Sequence, residues 1–205
     1  ERGMGSAVGQ VPEYIRDVTG WCKQSTVLPV FVKLTPNITD IRQPARAAKQ
    51  GGADAVSLIN TINSIVAIDL DTFAPLPTVA GKGAHGGYCG PAVKPIALSM
   101  VSEIARDPAT RGLPISGIGG IGTWRDAAEY IALGCGSVQV CTAAMRFGFR
   151  IIDDMVDGLN NWMDDKGYQT LDDFRGKAIV NVTDWNQLDL NYKTLAVIHQ
   201  DKCIE

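Results

Sequence analysis

At 205 residues, 45% hydrophobic and 20% charged, with 22 glycines and a formal charge of −3, the chain has the composition of a soluble globular protein able to bury a sizeable core. Its lysines and arginines are scattered rather than gathered into a stripe, which argues against a nucleic-acid partner. No apolar stretch approaches the roughly 18 residues of a membrane span and no basic-then-apolar leader opens the sequence, so the expectation is a cytoplasmic protein with no membrane partner.

In chain order, a helix-like segment "VPEYIRDVTGWCKQ" (11–24) precedes the apolar run "PVFVKLT" (29–35). "DIRQPARAAKQ" (40–50) follows, then "DAVSLIN" (54–60). After a long interval come the helix-like "PAVKPIALSMVSEIARD" (91–107), the run "PISGIG" (114–119), the helix-like "WRDAAEYIALG" (124–134) and the run "GSVQVCT" (136–142). The four apolar runs lack strict polar alternation, as strands covered on both faces do, and their alternation with helices predicts parallel βαβ units. "AAKQGGADAVSLINT" and "EYIALGCGSVQVCTA" read as one unit used twice, with Gly52 matching Gly134, Val56 matching Val138 and Asn60 matching Thr142.

The interval 61–90 is rich in Gly, Pro and Ala and far longer than an ordinary βα loop. Because it follows the carboxyl end of a strand, where α/β proteins place their active sites, it is expected to act as a lid. Beyond residue 142 the pattern changes to the helix-like "FRIIDDMVDGLNNWMDDKG" and a polar stretch, expected to pack outside the barrel.

The stretch "GIGGIG" (117–122) fits the dinucleotide-binding spelling G-x-G-x-x-G. That fold needs an acidic residue about 20 positions on, at the end of the next strand, and the next strand ends "VQVCTA". The better reading is a (βα)8 barrel, whose last two strands carry phosphate-binding loops built from backbone N–H groups and the positive end of a short helix. "SGIGG" and "QVCTA" are then two halves of one cradle, with Gly119 and Gly120 letting the backbone approach the oxygens. A tight turn that merely needs glycines stays open as the plainer account. Taking these strands as the seventh and eighth makes the chain the C-terminal half of the barrel. A first residue, Glu1, that is not Met and an end two residues after a cysteine suggest a piece of something longer.

Among candidate functional residues, Lys33 lies inside an apolar run; it either meets an anion or electron-rich ligand at the barrel mouth or snorkels to solvent. Asn60 and Thr61 close a strand with neutral hydrogen-bonding groups, which suits an uncharged amide or imide, or else Asn60 caps its own turn. His85 and His199 are isolated and read as structural, Cys141 reads as buried, and Trp124, Trp162 and Trp185 read as packing residues. The paired aspartates at 153, 164 and 172 mark solvated faces. The five cysteines (Cys22, Cys89, Cys135, Cys141, Cys203) show neither zinc nor disulfide spacing. Flavin mononucleotide (FMN) suits this set: its phosphate takes the glycines, and a cation near its pyrimidine end stabilises its anionic reduced form. A phosphate-sugar lyase or isomerase on the same barrel would need carboxylates where Thr35, Asn60 and Thr142 stand.

With "ERGMG", "FVKLTPNITDI", "INT", "HGGYCGPAVKPIAL", "PISGIGGI" and "VQVCTA" in this order, the chain resembles the dihydropyrimidine dehydrogenases, in particular the catalytic subunits of the bacterial NAD-dependent form. "KLTPN" and "GG-x-x-G-x-A-x-x-P" also occur in the related dihydroorotate dehydrogenases, which are the alternative. The resemblance implies an α/β fold: residues 1–147 as the C-terminal half of an FMN-binding TIM barrel, 148–200 as a helical extension, and 201–205 as the start of a ferredoxin-like 4Fe-4S segment. It implies that Lys33 contacts the flavin ring, that Gly90, Ile118, Gly119, Gly120, Cys141 and Thr142 line the FMN site, and that Asn60 and Thr61 hydrogen-bond uracil or thymine. Cys203 would ligate a cluster only in the intact protein. The family passes a hydride to C6 of the pyrimidine while a cysteine protonates C5. In the family that cysteine lies a few residues before "ERGMG", which places it upstream of Glu1, so no catalytic residue is assigned within this sequence. Electrons would come from NADH through an FAD-containing partner subunit and 4Fe-4S clusters, which implies a hetero-oligomer. This stretch of chain alone is expected to be inactive.

Overall fold

The four apolar runs join into one parallel sheet. The computed structural model describes residues 8–191 and, beyond them, Leu195, Val197 and His199. Glu1, with the rest of "ERGMG", and Cys203 lie outside the described residues. In chain order, α1 (Pro12–Ser25) leads to β1 (Phe31–Lys33) and α2 (Arg42–Gln50) to β2 (Ala55–Leu58). Four short strands follow: β3 (Ile62–Ser64), β4 (Ala67–Ile68), β5 (Pro75–Leu76) and β6 (Gly86–Tyr88). Then come α3 (Lys94–Arg106), β7 (Ile115–Ile118), α4 (Trp124–Ala132), β8 (Ser137–Gln139), α5 (Thr142–Phe147) and α6 (Ile151–Lys166). The main sheet has the order β1-β2-β7-β8, with every pairing parallel.

Register explains how the two faces of this sheet differ. Residues paired across parallel strands share a face. Val32 pairs with Val56, and Val56 with Ile115; these residues join Ala97, Val101, Ile104, Ala127 and Tyr130 in the main hydrophobic core. The next row is Lys33, Ser57, Ser116 and Ser137, which belongs to the opposite face. Ser57 and Ser116 are buried there, and the Ser116 hydroxyl accepts hydrogen bonds from Ser137 Oγ (2.8 Å) and Gln139 Nε2 (3.0 Å). One face therefore packs on helices through branched apolar side chains, while the other carries small polar groups that hydrogen-bond one another.

The internal repeat is realised in backbone geometry. Gly52 and Gly134 both take positive φ, +88° and +100°, a conformation that favours glycine at the end of a helix. Around Gly52, the N–H groups of residues 51, 52 and 53 donate to the carbonyls of 47, 49 and 48; around Gly134, those of 133, 134 and 135 donate to 129, 131 and 130. The same three hydrogen bonds close α2 before β2 and α4 before β8.

The interval 61–90 is a two-tier hairpin rather than an irregular loop. β3 pairs antiparallel with β6, and β4 with β5 farther out. Its outer part exposes Val66, Leu70, Phe73 and Val79. Beyond β8, α6 lies against α4, and Met163 and Phe174 form a second small core with Ala128 and Ile131. Trp124 and Trp162 pack here with ring centroids 6.1 Å apart, and Trp162 meets Phe174 edge-on at 5.0 Å. The segment after α6 is tied back to the end of α4 by Gly176 N–H donating to Ile131 O and Ala178 N–H to Ala132 O. Trp185 corrects its sequence reading: it is 75% exposed and packs in neither core. His85, His199 and the paired aspartates are exposed. Among the described residues, no helix is long and apolar enough to cross a membrane.

Candidate functional site

All the parallel strands of the main sheet end at one cleft. Its wall includes Lys33 at the end of β1, Asn60 and Thr61 after β2, Ile118 at the end of β7 with Gly119 and Gly120 after it, and Cys141 and Thr142 after β8. Gly90 arrives from the return limb of the hairpin. The structure thus brings together the nine site residues chosen from sequence that fall within its described part. Glu1, the marker for an upstream catalytic cysteine, and Cys203, the expected cluster ligand, fall outside that part and have no place in this geometry.

The glycines of the β7 loop have a steric reason. Gly119 has φ +139° and Gly120 φ +71°. A Cβ on Gly120 would stand 2.8 Å from Gly90 O and 2.9 Å from Lys94 Cβ, so the hairpin's return limb and the β7 loop approach too closely for any side chain. On the other bank, Gly90, at φ +90°, would place a Cβ 3.7 Å from Thr142 Cγ2. Gly90 therefore sits between the β7 and β8 loops.

Hydrogen bonding divides the donors of these loops into two groups. The Asp126 carboxylate, in a capping box at the start of α4, accepts from the N–H groups of Gly122 (3.0 Å) and Thr123 (2.8 Å) and from Thr123 Oγ1. The N-terminus of α4 is therefore already occupied by an anion of the protein itself. By contrast, the N–H groups of Gly119, Gly120, Cys141 and Thr142 donate to no described residue. All four residues line the cleft, on two loops, and α5 begins at Thr142.

The charges near the cleft are held in place. Lys94, the first residue of α3, bridges Asp126 Oδ1 at 2.5 Å and Glu129 Oε2 at 2.9 Å. Burial works to raise the Asp126 pKa, but the Lys94 ammonium and the N–H groups of Gly122 and Thr123 outweigh it and hold the carboxyl below its ordinary range. Behind the β7 loop, the fully buried Tyr130 donates its hydroxyl proton to Gly119 O at 2.6 Å, and burial pushes its pKa up. No Asp or Glu is among the described residues lining the cleft, so it has no carboxylate for acid–base work.

One sequence reading, that of Cys141, needs correction, and two open ones, for Lys33 and Asn60, take definite form. Lys33, on the outermost of the four strands present in this part of the barrel, is exposed and makes no ion pair with the described residues. It reaches the cleft without being buried. Cys141 is also exposed; the buried thiol is Cys135, pushed up to about 12 by burial and packed behind Gly117. Asn60 does cap its turn, since its Oδ1 accepts the Thr61 N–H at 2.8 Å, yet it lines the cleft as well. Sequence reasoning passed over Asn37, whose Nδ2 donates to Thr61 O and whose Oδ1 accepts from Asn63 N–H, pinning the start of the hairpin to the β1 loop. It also passed over Gln139, Arg146 and Phe147 on the cleft wall. The "TPN" after β1 was the available signal for Asn37; nothing local marked the other three.

The family model described as dihydroorotate dehydrogenase matches residues 3–163. The chain belongs to the dihydroorotate dehydrogenase family. Its parallel sheet and covering helices are accordingly part of that family's TIM-barrel fold. The chain is 44% identical over 201 residues to the NAD-dependent dihydropyrimidine dehydrogenase subunit PreA of Escherichia coli, which covers 98% of this chain and 49% of that protein. It is 41% identical over 182 residues to the chloroplastic dihydropyrimidine dehydrogenase (NADP(+)) of Arabidopsis thaliana, covering 87% and 43%. A third relative, the catalytic subunit of dihydroorotate dehydrogenase B (NAD(+)) of Pyrococcus abyssi, is 39% identical over 178 residues, covering 87% and 57%. The chain spans about half the length of these curated relatives.

Proposed function

We propose that this dihydroorotate dehydrogenase family chain forms the phosphate-gripping side of an FMN-dependent oxidoreductase that reduces the 5,6 double bond of uracil and thymine. The observation that carries the reading is the pair of loops, Gly119–Gly120 and Cys141–Thr142, whose N–H groups have no acceptor among the described residues and which line one cleft together with Lys33, Asn60 and Thr61. A phosphate monoester fits such a set, since charge-assisted hydrogen bonds from backbone donors are strong and glycine lets the backbone come close.

In this reading the N–H groups of Gly119, Gly120, Cys141 and Thr142 hold the phosphate, and Gly90 and Ile118 line the passage to the ring. Lys33, which has no competing ion pair among the described residues, places positive charge at the ring's pyrimidine end. Bound flavin supplies the hydride chemistry. Asn60 has committed Oδ1 to its own turn, which leaves its amide N–H groups to donate to a pyrimidine carbonyl, and Thr61 adds a hydroxyl beside it. Neutral donors and acceptors suit an uncharged base better than a carboxylate-bearing substrate.

The 44% identity to a dihydropyrimidine dehydrogenase subunit, against 39% to a dihydroorotate dehydrogenase B subunit, supports the pyrimidine substrate. We assign the C5 proton donor, as the family resemblance implies, to a cysteine upstream of Glu1; of this chain's own cysteines, Cys135 is buried behind the sheet and Cys141 belongs to the loop after β8. Electrons would arrive from NADH through an FAD-bearing partner subunit and 4Fe-4S clusters, with Cys203 as one cluster ligand, in the cytoplasm. The test is the absorption spectrum of the purified full chain with FMN, followed by turnover of uracil and of dihydroorotate. Bound flavin with uracil reduction is expected. A protein that binds no flavin would move the reading to a lyase or isomerase on this barrel, and turnover of dihydroorotate alone would replace the substrate.

A further inference from the structure

We infer that Tyr130 is a positioning residue, whose hydroxyl turns the Gly119–Gly120 peptide so that the Gly120 N–H faces the cleft as a phosphate donor. The inference rests on the phosphate cradle proposed above and adds a residue that lies outside the cleft wall.

The geometry has three parts. First, the Tyr130 ring lies behind β7, on the helix side of the sheet: it is fully buried, and a Cβ added to Gly117 would collide with it. Its hydroxyl reaches forward to Gly119 O at 2.6 Å, a short, well-formed bond. Second, the Gly119–Gly120 peptide is trans, the cis bonds among the described residues being Leu58–Ile59 and Leu76–Pro77. In a planar trans peptide the C=O and N–H point in opposite directions. Drawing Gly119 O back toward α4 therefore swings the Gly120 N–H away from α4. That N–H donates to no described residue, and Gly120 lines the cleft.

Third, the neighbouring donors are already assigned. Asp126 takes the N–H groups of Gly122 and Thr123. Tyr130 and Asp126, both on α4, thus sort the loop's donors: Asp126 retires those near the helix, and Tyr130 presents the one nearer the cleft. A tyrosine that needed only a partner for its own buried hydroxyl could use any carbonyl. This one grips the carbonyl whose peptide partner is an uncommitted cleft donor.

Tyr130→Phe keeps the ring and removes the hydroxyl. The measurement is the affinity of the full chain for FMN and for riboflavin, which lacks the phosphate, by quenching of flavin fluorescence. For the variant, FMN affinity is expected to fall about tenfold or more, the order expected for losing one hydrogen bond to a charged group, while riboflavin affinity stays as in the wild type. Equal loss for both flavins, or loss for neither, would overturn the inference. Wild-type protein that binds both flavins equally would instead overturn the phosphate cradle itself.

Thr123→Ala serves as the comparison, because it opens the α4 cap without touching the Gly119 carbonyl. It should lower thermal stability and leave the FMN-to-riboflavin ratio unchanged; a fall in that ratio equal to the Tyr130→Phe effect would assign the effect to general loosening. If Tyr130→Phe does not fold, the wild type still decides. The Gly120 amide resonance should move on adding FMN and stay in place on adding riboflavin, and an amide indifferent to FMN contradicts the assignment.

Discussion

Gly120→Ala probes the closeness of the two loops that define the cleft. At φ +71° an alanine sits in the left-handed region, which costs about 1–2 kcal/mol for an L side chain. The new Cβ would also stand 2.8 Å from Gly90 O and 3.1 Å from Lys94 N, and these are backbone atoms that cannot swing aside as a side-chain tip would. Relieving the overlap means moving the hairpin's return limb or the start of α3, an overpacking cost of about 1–3 kcal/mol. Together these give roughly 2–5 kcal/mol, or a fall in Tm of roughly 5–15 °C for a chain of this size. Thermal unfolding followed by circular dichroism measures the first effect. FMN titration measures the second, because parting the loops should weaken binding at least about tenfold, equivalent to about 1.4 kcal/mol. A variant with wild-type Tm and wild-type FMN affinity would show that Gly90 and Gly120 do not meet as described.

Further expectations concern charge and the two banks of the cleft. Asp126→Asn should cost about 1–3 kcal/mol at pH 7 by weakening both the α4 cap and the Lys94 bridge. Because the Asp126 pKa is lowered in the folded state, its stabilisation is complete above the ordinary carboxyl pKa of about 4 and is lost as pH falls through the folded value. The gap between wild type and variant in urea unfolding should therefore narrow below about pH 4, and a gap constant from pH 7 to pH 3 would contradict the pairing. Lys33→Ala should leave the stability within about 0.5 kcal/mol of wild type, as for an exposed side chain, yet weaken flavin binding or slow flavin reduction; unchanged flavin kinetics would remove Lys33 from the mechanism. Asn60→Ala should raise the uracil KM or lower kcat without changing FMN affinity, and kinetics matching the parent would end its assignment to the pyrimidine.

The parallel sheet was legible because each of its strands carries a burst of branched apolar residues and the returns into β2, β7 and β8 are marked by glycine. Gly52 and Gly134 proved to be one device used twice, down to matching hydrogen bonds. That the loops after β7 and β8 share one cleft was legible from Gly119, Gly120 and the missing acid after β8. The hairpin within 61–90 was not, since its strands are only two or three residues long and interrupted by Gly and Pro, too short to show alternation. α5, at six residues, was hidden for the same reason. An apolar run reads as covered on both faces, an assumption that fails at the ends of the outermost strands present here; Lys33, open in the sequence between ligand contact and solvent, is exposed there and still lines the cleft. The same assumption misplaced Cys141, beyond the last strand. Trp185 misled by hydrophobicity alone, and Tyr130 gave no signal because its role depends on a carbonyl 11 residues away that only the folded chain brings near.

A crystal structure of the full chain with FMN tests the central claim most directly. It should show the phosphate oxygens within hydrogen-bond distance of N–H groups on both loops, Gly119–Gly120 and Cys141–Thr142. A phosphate bound by only one of them, or lying outside their shared cleft, would contradict the account.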